Sequence, residues 1–83
     1  MSTPEPVPVR FTKEEVQAKI GQTVRTLTGF YRVPYGTIGR VIDSYEMGTG
    51  FYDVVIQWSL PNAREPVVDR FAKSTYEQLL AEE

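Results

Sequence analysis

The sequence predicts a mainly β fold: a small barrel of four or five antiparallel strands with a short N-terminal helix and a C-terminal helical turn. Three observations carry the prediction. Between Gln22 and Phe71 lie segments in which apolar residues recur at every second position, the period of a strand with one buried face. Glycine and proline gather where such segments must turn, most densely in "VPYGTIGRV". The chain has 83 residues, enough for one core, because chains this short bury only about 60% of their unfolded surface.

The elements follow in order. "MSTPEPVPVR" has three prolines and no apolar period, so residues 1–10 read as an extended or disordered tail and residues 11–83 as the domain. "FTKEEVQAKIG" opens with Thr12 as N-cap and Glu15 closing a capping box, with Phe11 placed to staple on Val16 and Gly21 as the stop. Two turns of helix are too short to stand alone, so Phe11, Val16 and Ile20 are expected to lie on the barrel. "QTVRTLT" is a β-branched strand, "GFYRVP" a loop, and "YGTIGRVIDSYE" a second strand in which Gly39 suggests a bulge or corner bend. "EMGTG" is a hairpin turn. "FYDVVIQWS" places Val54, Ile56 and Trp58 on the core face, and "PVVDRFA" sends Val67, Asp69 and Phe71 one way. In "KSTYEQLLAEE", Ser74 and Glu77 repeat the capping logic, and Leu79 and Leu80 are expected on the open end.

This order suits a small SH3-like barrel better than an OB-fold, which needs a longer chain and a helix between its third and fourth strands. The segments "GQTVRTLTGFYRVPYGTIGRV", "YDVVIQW" and "DRFAKSTYEQLL" give the chain, over roughly residues 21–81, a pattern that resembles the SH3-like subunit IV of photosystem I and related ferredoxin-side subunits. The resemblance implies a barrel that docks a soluble electron-transfer protein onto a larger assembly, with basic loop residues facing an acidic partner. The chain departs from that pattern in its N-terminal helix and in having no basic excess.

Net charge is −2, and its distribution is uneven. Within residues 22–71, Arg25, Arg32, Arg40, Arg64 and Arg70 balance Asp43, Glu46, Asp53, Glu65 and Asp69, so the acidic excess lies in the last twelve residues. That argues against nucleic acid as the default partner and leaves a local arginine patch to serve one. No run approaches the roughly 18 apolar residues of a membrane span, and no signal-peptide pattern is present, so a cytoplasmic location is expected. Cysteine and histidine are both absent, which removes disulfides, thiolate chemistry, soft metal ligands and the usual base near neutral pH. Asp43, Asp53 and Asp69 have no spacing that defines an acid/base pair, and "GTIG" lacks the lysine and spacing of a phosphate loop. No enzyme, cofactor or metal is expected.

The loop "GFYRVPY" is the candidate binding surface. Phe30, Tyr31 and Tyr35 exceed what so small a barrel can take in, and an aromatic cluster with Arg32 has the composition of an interaction hot spot. The plainer alternative has two of the three packed over the helix or the barrel mouth. Arg64, with Arg32 and Arg40, has the chemistry for carboxylate or phosphate contacts, although arginine stems also cover apolar strand surface. The expected function is a non-catalytic docking module or accessory subunit with a protein partner. The alternative is a KOW-like or Sm-like nucleic-acid binder, with arginines on phosphate and tyrosines on bases.

Overall fold

The computed structural model describes residues 10–48 and 50–83. Apart from Arg10, the expected tail lies outside the described residues, as does Thr49 of the hairpin turn. The elements are α1 (Lys13–Lys19), β1 (Thr23–Thr26), β2 (Ile38–Gly48), β3 (Phe51–Trp58), β4 (Val67–Phe71), α2 (Lys73–Leu79) and β5 (Leu80–Glu82). The five strands form one sheet in the order β4-β3-β2-β1-β5, and every neighbouring pair is antiparallel. β4 and β5 are its two edges and do not pair with each other, so the fold is barrel-like with an open seam. Among the described residues no helix is long and apolar enough to cross a membrane.

Helix α1 forms as the residues dictate. The Thr12 hydroxyl accepts from the Glu15 N–H at 3.2 Å, and the Glu15 carboxylate accepts from the Thr12 N–H at 2.9 Å. Phe11 and Val16 are buried, but Ile20 is about half exposed, contrary to expectation, because it has already left the helix in an extended conformation. Phe11 also bridges to Tyr52, whose N–H donates to the Phe11 carbonyl at 3.3 Å, which ties the helix entrance to β3.

The sheet's inner face carries the core: Val24, Val41, Val54, Ile56, Trp58, Phe71 and Leu80, closed over by Phe11, Val16, Val33 and Tyr76. Trp58 is buried as its alternation with Val54 and Ile56 requires, edge-on to Phe71 at a centroid distance of 6.1 Å. Its indole N–H donates to Asp69 Oδ2 at 2.7 Å. Asp69 therefore faces inward as a half-buried acceptor, on the same side of β4 as Val67 and Phe71. The irregularity expected at Gly39 lies further along β2. Register slips between Val41 and Asp43, so Ile42 is the bulged residue. Gly39 is instead a place of close approach: a Cβ there would come within 2.5 Å of Trp58 Cε3.

The C-terminal segment corrects two expectations. α2 starts at Lys73 after Ala72, with no side-chain cap, and Ser74 lies one position inside it. The entry is fixed instead by the end of β4 and by the Tyr76 N–H donating to the Ala72 carbonyl at 2.9 Å. Leu80 then leaves the helix and begins β5, pairing Leu80 with Thr26, Ala81 with Arg25 and Glu82 with Val24. The free edge of β1 and the burial of Leu80 override the helical propensity of "LLAEE". Leu79 packs half-buried against the core.

Ion pairs fasten this segment. Glu82 is paired with Lys19 and accepts from the Tyr76 hydroxyl at 2.7 Å; Lys73 reaches Glu15 at 2.5 Å and Arg25 reaches Glu83 at 2.6 Å. Hydrogen bonds from Lys19 and then Tyr76 hold the Glu82 carboxyl below the usual carboxylate value, and Lys73 does the same for Glu15. A carboxyl depressed in the fold contributes stability above its unfolded pKa and loses it as pH falls through its folded value. Urea midpoints are therefore expected to drop as pH falls below the ordinary carboxylate range, and Glu82→Gln to flatten that drop. Equal acid limbs in the two proteins would show that the Glu82 cluster contributes nothing.

Candidate functional site

The loop between β1 and β2 consists of two β-turns set end to end. In the first, Phe30 and Val33 exchange both backbone hydrogen bonds, at 2.7 and 3.0 Å, around Tyr31 and Arg32. Arg32 has φ +70°, a type II arrangement in which the third position is left-handed. In the second, the Thr37 N–H donates to the Pro34 carbonyl at 3.2 Å around Tyr35 and Gly36, and Gly36 takes the left-handed position at φ +81°. Each tyrosine thus stands at the second position of its turn, the outermost corner. Their exposures are 90% for Tyr31 and 74% for Tyr35.

Phe30 behaves differently. At the first position of its turn it is half-buried, with its ring 5.6 Å from Phe71 and 6.2 Å from Trp58. Of the three candidate aromatics, one anchors the loop and two are presented. Val33, buried at the end of the first turn, is the second anchor.

A third anchor lies outside the loop and was not marked by the sequence reading. Thr26, at the end of β1, is fully buried; its hydroxyl donates to the Pro34 carbonyl at 3.2 Å and accepts from the Thr37 N–H at 3.1 Å. The Thr26 backbone adds bonds from its N–H to Thr37 and from the Gly36 N–H to its carbonyl. A buried polar group must be satisfied, and this one is satisfied by the second turn. A threonine at the end of a strand is a weak signal, because β-branched residues are ordinary there.

Arg64 belongs to the β3–β4 loop, which leaves β3 in a turn closed by the Ala63 N–H on the Leu60 carbonyl at 3.2 Å, with Pro61 at its second position. The sheet brings this turn beside the first loop. Arg32, Pro34, Leu60, Pro61, Arg64 and Val67 together line an open groove of about 570 Å³. Tyr31 and Phe30 line a smaller depression of about 230 Å³ on the side of Arg70 and Asp69. Arg40 is elsewhere, with Gln57 and Ser59 beside another hollow. Of the predicted residues, Arg32 and Arg64 share the groove and Tyr31 and Tyr35 stand exposed on the same loop, while Phe30 supports them from beneath. The apolar groove itself was missed; the signal available was the pair of prolines, Pro34 and Pro61, each set in a tight turn.

The left-handed Arg32 opposes local preference, since a residue with a Cβ loses on the order of 1–2 kcal/mol there. Arg32→Gly is expected to raise unfolding stability by about 0.5–1 kcal/mol, the gain reduced by the greater freedom of glycine in the unfolded chain. Urea denaturation checks it. A loss of stability would mean that the guanidinium makes contacts that outweigh the backbone strain.

The shifted carboxyls, Glu15 and Glu82, are held in ion pairs away from this loop. Among the described residues no group of three or more His, Cys, Asp or Glu is placed to hold a metal ion. Comparison of the chain with protein-family models, curated proteins and solved structures finds no match.

Proposed function

We propose that this protein is a non-catalytic docking module, an accessory subunit or adaptor that binds a protein partner through Tyr31, Tyr35 and the adjoining Arg32 and Arg64. The observation that carries the reading is the pair of tyrosines, 90% and 74% exposed on turns that the buried Val33 and Thr26 and the half-buried Phe30 hold in place. Phe30 is only partly buried and acts through its packing on Trp58 and Phe71. Large aromatic area on a loop already ordered in the free protein is what binding hot spots use, because little entropy remains to be lost on association. The absence of histidine and cysteine from the sequence supports a role without chemistry. The likeness to ferredoxin-side subunits supports the accessory-subunit form of the reading, and a cytoplasmic site of action goes with it.

The test is quantitative affinity capture with wild type and a Tyr31→Ala/Tyr35→Ala variant, followed by amide shift mapping against whatever the variant loses. A partner depleted at least tenfold by the variant, with shifts clustered on residues 29–36, is the expected result. Partners retained equally by both proteins would overturn the reading.

The exposed tyrosines beside Arg32 also favour, as a second reading, a single-stranded RNA binder in which the rings stack on bases. Such binding falls steeply with salt, so a titration with single-stranded RNA at low salt that shows no binding dismisses it.

A further inference from the structure

We propose that the groove between the Pro34 and Pro61 turns takes an acidic, apolar peptide segment of a partner protein, its carboxylates on Arg32 and Arg64 and an apolar side chain between them. The inference rests on the docking reading and adds to it a place and a chemistry.

The groove is a formed feature. Leu60 and Val67, in its lining, pack against the core, so this part of the surface is fixed by the fold. Pro34 and Pro61 contribute backbone whose φ is already set, which lowers the ordering cost of binding. Its volume, about 570 Å³, admits a large apolar side chain with flanking backbone.

Charge selects the occupant. Arg32 and Arg64 are the ionisable side chains in the lining, which has no acidic residue. Among the described residues neither takes part in an ion pair; the three pairs join Lys19 to Glu82, Arg25 to Glu83 and Lys73 to Glu15. Two unneutralised guanidinium forks at an apolar surface match carboxylates, which they bind in bidentate fashion. A basic segment is repelled. Nucleic acid fits less well, because the groove lining has no aromatic ring on which a base can stack, and the chain is net acidic. A second copy is also disfavoured as occupant: the acidic C-terminal end is engaged, Glu82 with Lys19 and Tyr76, Glu83 with Arg25.

The probes are three end-blocked peptides: Glu-Asp-Leu-Phe-Asp-Glu, its Gln/Asn counterpart and its Lys counterpart. Each is titrated to about 1 mM into labelled protein at low salt while amide shifts are followed. The acidic peptide is expected to move the amides of Arg32, Leu60, Ala63, Arg64 and Val67 saturably. The neutral peptide should bind about tenfold more weakly and the basic one not measurably. Arg32→Gln/Arg64→Gln, checked for native circular dichroism, should weaken the acidic peptide about tenfold, and added salt should weaken it further. Equal binding of the three peptides, shifts lying outside the groove, or no shift with any of them overturns the inference. The arginine variant in the capture experiment separates the two claims. A partner lost with the tyrosine variant and kept by the arginine variant leaves docking standing and removes the groove; a partner kept by both removes docking as well.

Discussion

Trp58→Ala is expected to lower the unfolding free energy by about 3–5 kcal/mol, a large share of the total stability of a domain of this size. The indole is buried at 4% exposure and lies against Phe30 and Phe71, with Gly39 directly opposite it across the β2–β3 pair. Removing it opens a cavity where three strands and the binding loop meet, and it leaves the half-buried Asp69 without its donor. Because the chain has one tryptophan, the measurement is urea unfolding followed by far-ultraviolet circular dichroism. Trp58→Phe separates the two effects, since it keeps an aromatic ring and removes the N–H. A cost for Trp58→Ala below about 1 kcal/mol would mean that the indole does not organise the core. Tyr31→Ala, by contrast, touches a ring that is 90% exposed and should stay within about 0.5 kcal/mol of wild type, so loss of docking by that variant reports on the surface and not on folding.

What was legible in the sequence is what nearest neighbours decide. Thr12 and Glu15 are three residues apart and make their capping box within a single turn. Alternation placed Val54, Ile56 and Trp58 on the inner face without knowledge of the partner strand, because a strand has only two faces. The failures are places where distant segments decide. "LLAEE" has helical propensity, yet pairing with the edge of β1 and burial of its side chain draw Leu80 into a strand. Ile42 bulges because pairing with β3 slips there, and no residue type in "RVIDS" announces the slip. For the candidate site, the loop and its aromatic excess were legible, but not which ring turns inward. That depends on turn register: Phe30 comes before the corner and reaches Trp58, whereas Tyr31 and Tyr35 occupy corners. The groove joins two loops that β2 and β3 separate along the chain, and only the sheet order brings Arg64 beside Arg32.

Gly39 gives the sharpest test of how tightly the sheet is built around that tryptophan. A Cβ added there would stand 2.5 and 2.7 Å from two indole carbons and 2.8 Å from Ile56 Cγ2, well inside van der Waals contact. None of these neighbours has room to yield: Ile56 is fully buried, and the indole is pinned by Asp69 at one end and packed between Phe30 and Phe71. Relief must therefore come from moving β2 away from β3, which strains the register pairs on either side. Gly39→Ala is expected to cost about 1–3 kcal/mol, and Gly39→Val more, because overpacking forces backbone shifts that a rigid core resists. Gly48→Ala in the same strand is the control, since its nearest atom, Phe51 Cδ2, lies at an ordinary 3.8 Å; it should change stability by less than about 0.5 kcal/mol. Pairing Gly39→Ala with Trp58→Phe shows whether the clash is with the indole: the smaller ring frees space, so the double variant should be more stable than the sum of the two single changes predicts. If Gly39→Ala is neutral, or the two changes simply add, the indole does not lie against β2, and the support beneath Phe30 and the docking loop disappears with it.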